Sequence, residues 1–179
     1  MGMRTKNVLL SGKPGVGKTT VIRQVVEMIG SDSASGFFTQ EMREGNRRVG
    51  FALETLAGER GVLAHVSYKG PHRIGKYGVD LQVLESLAVP AIDPDITDSE
   101  LLVIDEIGKM ECLSSAFAGA VLRALTSDRL VVGTVPAKGN SFVREVTCRG
   151  DVELIEVTLK NRNALAGGVL RTMGLGNRK

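Results

Sequence analysis

Residues 12–19, GKPGVGKT, constrain this chain more than any other stretch. They satisfy the spacing G-x-x-x-x-G-K-[ST], with Gly12, Gly17, Lys18 and Thr19 in the fixed positions and Lys13, Pro14, Gly15 and Val16 among them. Each fixed residue has a physical reason. Gly12, Gly15 and Gly17 let the backbone turn where a β-carbon would block it and let it approach an anion closely. The N–H groups of residues 15–19 can then point inward as an anion nest. A helix starting at the end of the loop adds the positive end of its dipole at the same spot. Lys18 supplies a mobile ammonium for β- and γ-phosphates, and the Thr19 hydroxyl is a hard oxygen suited to Mg²⁺.

The flanks supply the context that the motif needs. Before it, Val8-Leu9-Leu10 is a short apolar run of the kind expected for a buried strand. After it, Val21, Ile22, Val25, Val26 and Ile29 recur at helical spacing, and Gly30 supplies a stop. Strand, loop and helix in that order are the setting of a phosphate-binding loop.

Bulk properties narrow the class. A chain of 179 residues is expected to form one domain with a substantial core. Its 42% hydrophobic and 24% charged residues are ordinary for a soluble globular protein. No apolar run is long enough to span a bilayer. Arg4 and Lys6 precede an apolar run too short for a signal-peptide core. Met1-Gly2 resembles a myristoylation start, but Lys6 stands where Ser or Thr is required. Cys112 and Cys148 make neither a disulfide framework nor a metal-ligand spacing, so a reduced, cytoplasmic protein is expected, with both thiols packed as small apolar groups. A net charge of +3 suits a polyphosphate ligand and is too small to argue for nucleic acid.

Along the rest of the chain, residues 31–36 read as a polar loop. Residues 37–40, 48–55 and 61–66 read as an antiparallel meander inserted at about 36–79. Residues 67–79 mix glycines and basic groups with no apolar period and read as a loop. A helix is expected over 80–88, ended by Pro90, and another over about 114–125. Residues 129–135 and 151–157 read as strands, 142–148 as a short helix, and 161–173 as the closing helix followed by a tail. Thr134 is placed either to sense a γ-phosphate or to satisfy its hydroxyl on backbone.

Leu101-Leu102-Val103-Ile104-Asp105-Glu106 is the second strong signal. Four apolar residues predict a strand buried on both faces, as in a parallel sheet. It ends in two carboxylates, at the strand ends where open α/β sheets bind ligands. Asp105 is placed to hold the water shell of Mg²⁺ opposite Thr19. Glu106 is placed to orient and deprotonate an attacking water.

The element order is that of a P-loop nucleotide hydrolase: a three-layer α/β sandwich, RecA/ASCE-like, with a mostly parallel sheet and an antiparallel insertion. More narrowly, the phosphate loop, the segment at 36–41, Arg48-Val49-Gly50-Phe51, Arg73-Ile74-Gly75-Lys76-Tyr77, Asp105-Glu106-Ile107-Gly108-Lys109-Met110-Glu111 and Asn161-Arg162-Asn163 resemble the THEP-type, or cancer-related, nucleoside-triphosphatases. The resemblance covers about residues 6–172. It implies a small Mg²⁺-dependent enzyme that hydrolyses nucleoside triphosphates to diphosphate and phosphate with loose base preference, and it implies that Glu106 is the general base.

The nucleotide-binding set is then Gly12, Lys13, Pro14, Gly15, Val16, Gly17, Lys18, Thr19, Thr20, Leu101, Leu102, Val103, Ile104, Asp105, Glu106, Ile107, Gly108, Asn161 and Arg162. Thr19 and Asp105 are the metal candidates. Lys18 and Glu106 lead the catalytic set. Arg73, on a glycine-rich segment able to close over a ligand, is the first candidate for a further cation, and Lys109 is its rival. Each also has a plain reading: a solvated charge for Arg73 and Lys109, a helix N-cap for Asn161.

Three functions compete. The first is a stand-alone hydrolase acting as a monomer on nucleoside triphosphates, away from membranes. The second is a nucleotide or small-molecule kinase with the same loop. The third is a nucleic-acid-binding module that uses the basic residues at 69–76 with Tyr68 and Tyr77 for charge and stacking. Glu106 favours the first, since an acid directly after the Mg²⁺ aspartate suits a water nucleophile.

Overall fold

In the computed structural model, which describes residues 5–176, the alternation of side chains along each strand sets the layers. In β1 (Asn7–Ser11), Val8 and Leu10 pack to one side of the sheet and Leu9 to the other, all fully buried. β7 (Leu101–Ile104) repeats this, with Leu101 and Val103 on the first side and Leu102 and Ile104 on the second. Strands buried on both faces need helices on both. The first side is covered by α1 (Lys18–Ile29) and α6 (Leu165–Thr172), through Val21, Ile22, Val25, Val169 and Leu170. On the second side, α4 (Ser115–Thr126) and α5 (Ser141–Thr147) bring Phe117, Val121, Leu125, Val143 and Val146. The three-layer α/β arrangement therefore follows from period-2 strands meeting period-3.6 helices.

Among the described residues, one nine-stranded sheet runs in the order β5-β6-β4-β3-β2-β7-β8-β1-β9. The remaining strands are β2 (Ala34–Glu44), β3 (Arg47–Thr55), β4 (Arg60–His65), β5 (Arg73–Ile74), β6 (Tyr77–Val79), β8 (Leu130–Thr134) and β9 (Val152–Glu156). The pairs from β2 through β7, β8 and β1 to β9 are parallel, and those from β2 outward to β5 are antiparallel. The sheet is thus evenly mixed, not mostly parallel. β2 is the cause. Its first four residues, Ala34 to Phe37, pair with β7, while its length of eleven residues carries it on into a hairpin with β3. The antiparallel part begins beyond β2, and residues 34–36 belong to the strand, not to a loop.

Other expectations are corrected. Residues 73–79 form a short hairpin whose outer strands pair only over two positions, too few for an apolar period to show. The helix after Asp80 does not end at Pro90. α2 (Leu81–Val83) passes into a π-helical stretch (Leu84–Ala88), where Val89 N–H reaches back to Leu84 O. α3 (Val89–Ile92) follows directly, with Pro90 in its first turn. The closing helix starts at Leu165, not Asn161. The expected tail is packed as far as Leu175, which is buried and donates its N–H to Leu170 O. Cys148 is exposed and Cys112 half-buried. The reading of Met1-Gly2 lies outside the described residues. Among the described residues no helix is long and apolar enough to cross a membrane.

Candidate active site

The parallel strands bring their carboxyl ends to one edge of the sheet, and the glycine-rich loop leaves β1 at that edge. Gly15 and Gly17 have φ of 74° and 112°, values that a side chain disfavours. Gly17 caps α1, so Lys18 and Thr19 open the helix. Lys18 Nζ donates to Gly12 O at 3.0 Å and stands 3.6 Å from Glu106 Oε2. Thr19 Oγ1 donates to Asp105 Oδ2 at 2.8 Å. Thr134, at the end of β8, donates its hydroxyl to Asp105 Oδ1 at 2.6 Å. Thr134 is thus neither free to sense phosphate nor satisfied on backbone. It holds the aspartate.

Burial gives these acids their electrostatics. Asp105 is 2% exposed, and desolvation raises its carboxyl above the ordinary range against the opposing hydrogen bonds from Thr134 and Thr19. Desolvation also raises Glu106, opposed by the Lys18 ammonium and reinforced by the charge of Asp105. Behind them lies Glu111, which sequence reading left without a role. Its Oε2 accepts the Gly108 N–H at 3.2 Å. A β-carbon on Gly108 would stand 2.8 Å from both Glu106 Oε1 and Glu111 Oε2, so the two carboxyls flank that glycine. Burial pushes Glu111 up to about 8, with the charge of Glu106 adding to the rise.

A cleft of about 440 Å³ opens over this group. Gly12, Pro14, Gly15, Gly17, Lys18, Thr19, Thr20, Asp105 and Glu106 line it, all from the predicted set. Lys13 is exposed beside it. Arg162 arrives from beyond β9 and donates to Val16 O at 3.2 Å, covering the loop. Lys109 is exposed and lines an adjoining hollow of about 280 Å³ that shares Glu106 with the cleft.

Several predicted residues are elsewhere. Leu101, Leu102, Val103, Ile104 and Ile107 are fully buried in the core, because only the strand's end reaches the cleft. Gly108 is buried and gives its N–H to Glu111. Asn161 caps no helix. Its Oδ1 accepts Thr158 N–H and its Nδ2 donates to Glu156 O, which closes the turn after β9. Arg73 does not line the cleft. Its guanidinium donates to Tyr68 O at 2.9 Å and Lys76 O at 3.0 Å, tying its own hairpin together.

In exchange, the antiparallel strands supply Thr39, Glu41, Arg48 and Phe51, and the loop after β8 supplies Pro136. Residues 36–41 and 48–51 carry the family resemblance, but nothing in their composition assigns them a role in the site. The missing signal was register: Glu41 pairs with Phe51 across the β2–β3 hairpin.

A family model described as NTPase matches residues 7–170. Nucleoside-triphosphatase THEP1 of Thermotoga maritima is 40% identical over 166 residues, covering 93% of this chain and 94% of that protein. The human cancer-related nucleoside-triphosphatase is 42% identical over 175 residues, covering 89% and 92%. The crystal structure of THEP1 from Aquifex aeolicus superposes with a TM-score of 0.84 at 32% identity, over 96% of this chain and 99% of that one. With this much of the sequence and nearly all of the fold shared, the chain belongs to the family of THEP1-type nucleoside-triphosphatases.

Proposed function

We propose that this protein hydrolyses nucleoside triphosphates, ATP and GTP among them, to diphosphate and phosphate in an Mg²⁺-dependent reaction, with water activated by Glu106. The observation that carries the reading is the convergence of Lys18, Thr19, Asp105 and Glu106 on one cleft beneath a glycine-rich loop and a helix N-terminus. The loop and the α1 dipole bind the phosphates. Lys18 is the charge at the β- and γ-phosphates. The water oxygen bonds to the γ-phosphorus, the bond to the β–γ bridging oxygen breaks, and the water's proton passes to Glu106. A carboxyl raised by desolvation is the stronger base for that transfer.

The donor set fits Mg²⁺. Thr19 Oγ1 and Asp105 Oδ2 are hard oxygens 2.8 Å apart, and Thr134 fixes the second carboxylate oxygen. Among the described residues no cluster of three or more His, Cys, Asp or Glu is placed to hold a metal, so water and phosphate would supply the other ligands. When bound, the ion would neutralise charge on the β- and γ-phosphates.

We place the fold with the RecA/ASCE type. β8 standing between β1 and β7, and the glutamate directly after Asp105, support that placement. The kinase reading gains nothing, since the matched relatives are named as triphosphatases. The nucleic-acid reading loses its stacking pair, since Tyr77 is 7% exposed beneath Arg48. A cytoplasmic setting suits the unpaired Cys112 and Cys148.

Phosphate release from Mg²⁺–ATP without an added acceptor tests the proposal. Lys18→Ala is expected to abolish turnover and weaken binding in a folded protein. Glu106→Gln is expected to bind Mg²⁺–ATP normally and to turn over at least ~10²-fold more slowly, as for a lost general base. Near-wild-type turnover in folded Lys18→Ala would sink the site. Equal losses of binding and rate in Glu106→Gln would make Glu106 a structural or metal-holding residue instead.

A further inference from the structure

Phosphoryl transfer spreads negative charge over the γ-phosphoryl oxygens, and a cation in addition to the loop lysine commonly meets it. Arg73 does not stand at the cleft, but another arginine does. We propose that Arg48 is the catalytic cation that contacts the γ-phosphoryl group in the transition state. This rests on the hydrolase reading of the cleft and names a residue that the reading leaves open.

Position comes first. The cleft has two ends, set by the strand order. Arg162 comes from beyond β9, at one edge of the sheet, and lies over Val16. Arg48 lies on β3, on the far side of β2 from β7, and lines the same cleft as Lys18 and Glu106. The phosphate chain has a direction in such a loop. Its inner phosphates sit in the backbone nest, and its β–γ end faces the lysine and the two acids. The next wall beyond those acids is the one formed by β2 and β3. Arg162 therefore stands toward the nucleoside and Arg48 toward the terminal phosphate.

Aim comes second. Arg48 Nε donates to Tyr77 Oη at 3.0 Å, and the guanidinium lies 5.2 Å from the centre of the Phe51 ring. Tyr77 packs edge-on against Phe51 with ring centres 5.3 Å apart. Lys76 Nζ donates to Arg48 O at 3.2 Å. The 73–79 hairpin is therefore the support that points Arg48, not the lid that carries the charge. Arg48 Nη1 is held by Glu41 Oε1 at 2.7 Å, and this pair is about two-fifths exposed on each side. An exposed pair is a weak hold, and a phosphoryl group gaining charge competes well for a guanidinium that can contact two of its oxygens. Glu41 and Tyr77 are positioning residues in this scheme.

Arg48→Ala and Arg48→Lys decide it, with wild-type protein as reference. Turnover is measured at saturating Mg²⁺–ATP. Binding is measured for two probes: a non-hydrolysable ATP analogue, and ADP with aluminium fluoride, which mimics the flying phosphoryl group. Arg48→Ala is expected to lower kcat by at least ~10²-fold, to change analogue binding less than about tenfold, and to lose most ADP–aluminium fluoride binding. Arg48→Lys keeps a charge without the two-point contact and is expected to retain about a tenth of kcat or less. Wild-type kcat in either Arg48 variant overturns the proposal and leaves the hydrolase reading standing. So does an equal loss of both probes, which would make Arg48 a ground-state binding residue. No phosphate release by the wild-type protein overturns both.

Discussion

Glu111 shows how much a single buried residue can decide. In the unfolded chain its carboxyl ionises near 4.5, and in the fold it keeps its proton up to about 8. Between those values the unfolded state binds fewer protons than the native one, so the contribution of Glu111 to stability falls as pH rises and levels off above about 8. Glu111→Gln keeps an oxygen for the Gly108 N–H and removes the ionisation. The variant and the wild type are expected to have similar stability near pH 4.5 and to diverge toward pH 8, the variant becoming more stable by on the order of a few kcal/mol. Urea denaturation across that range checks this, and parallel pH profiles for the two proteins would refute it. The signal for Glu111 was in the sequence, as the last acid of the Asp105–Glu111 block. Its role was not, because burial behind Glu106 is a tertiary fact.

Among the elements, β2 joins two kinds of sheet. Phe37 pairs with Ile104 on one side and with Thr55 on the other, so the strand is parallel to β7 and antiparallel to β3 at once. The cleft depends on that junction, since Thr39 and Glu41 lie just beyond it on the same strand. The junction is tight at Gly36, where φ is +129° and a β-carbon would stand 2.0 Å from Val103 O. Backbone cannot yield there as a flexible side chain would. Gly36→Ala is expected to cost at least about 3 kcal/mol by denaturant unfolding, with turnover lost alongside because the β7 end shifts. Wild-type stability in this variant would mean that the strands separate more easily than their spacing indicates. The 73–79 hairpin makes the opposite lesson: its composition looked like a mobile lid, and its pairing with β4 makes it a brace.

For the whole molecule, the cleft draws its walls from β1 and α1, from β7, and from the antiparallel strands. A ligand filling it therefore links segments far apart in sequence. A non-hydrolysable ATP analogue with Mg²⁺ at a hundred times its dissociation constant adds about 2.7 kcal/mol of stability. In a domain of this size the melting temperature is expected to rise by roughly 5–11 °C. Lys18→Ala should lose that rise at the same concentration. A melting temperature that does not respond in the wild type would show that the ligand does not bind the native protein, and a full rise in Lys18→Ala would show that it binds outside the cleft.

Local patterns carried much of the fold and one half of the site. A loop whose glycines and lysine must sit between a strand and a helix is legible in eight consecutive residues, and so is a strand of four apolar residues ending in Asp105 and Glu106. These are short-range constraints: backbone torsion, period and strand-end chemistry. They also misled where the pattern stopped. Leu101–Ile104 lead to the cleft without touching it, since a strand buried on both faces can offer only its end. What the tertiary structure alone decided is the opposite wall. Arg48, Glu41 and Phe51 line one cleft because β3 folds back on β2 with Glu41 opposite Phe51, and because the register then shifts by one residue between Met42 and Arg43, which sets Arg48 opposite Arg43 on the face that unbroken alternation from Phe51 would deny it. Arg73 and Arg48 are alike in sequence, each a basic residue beside glycine and aromatic neighbours. Strand order put one at the far edge of the sheet and the other at the cleft.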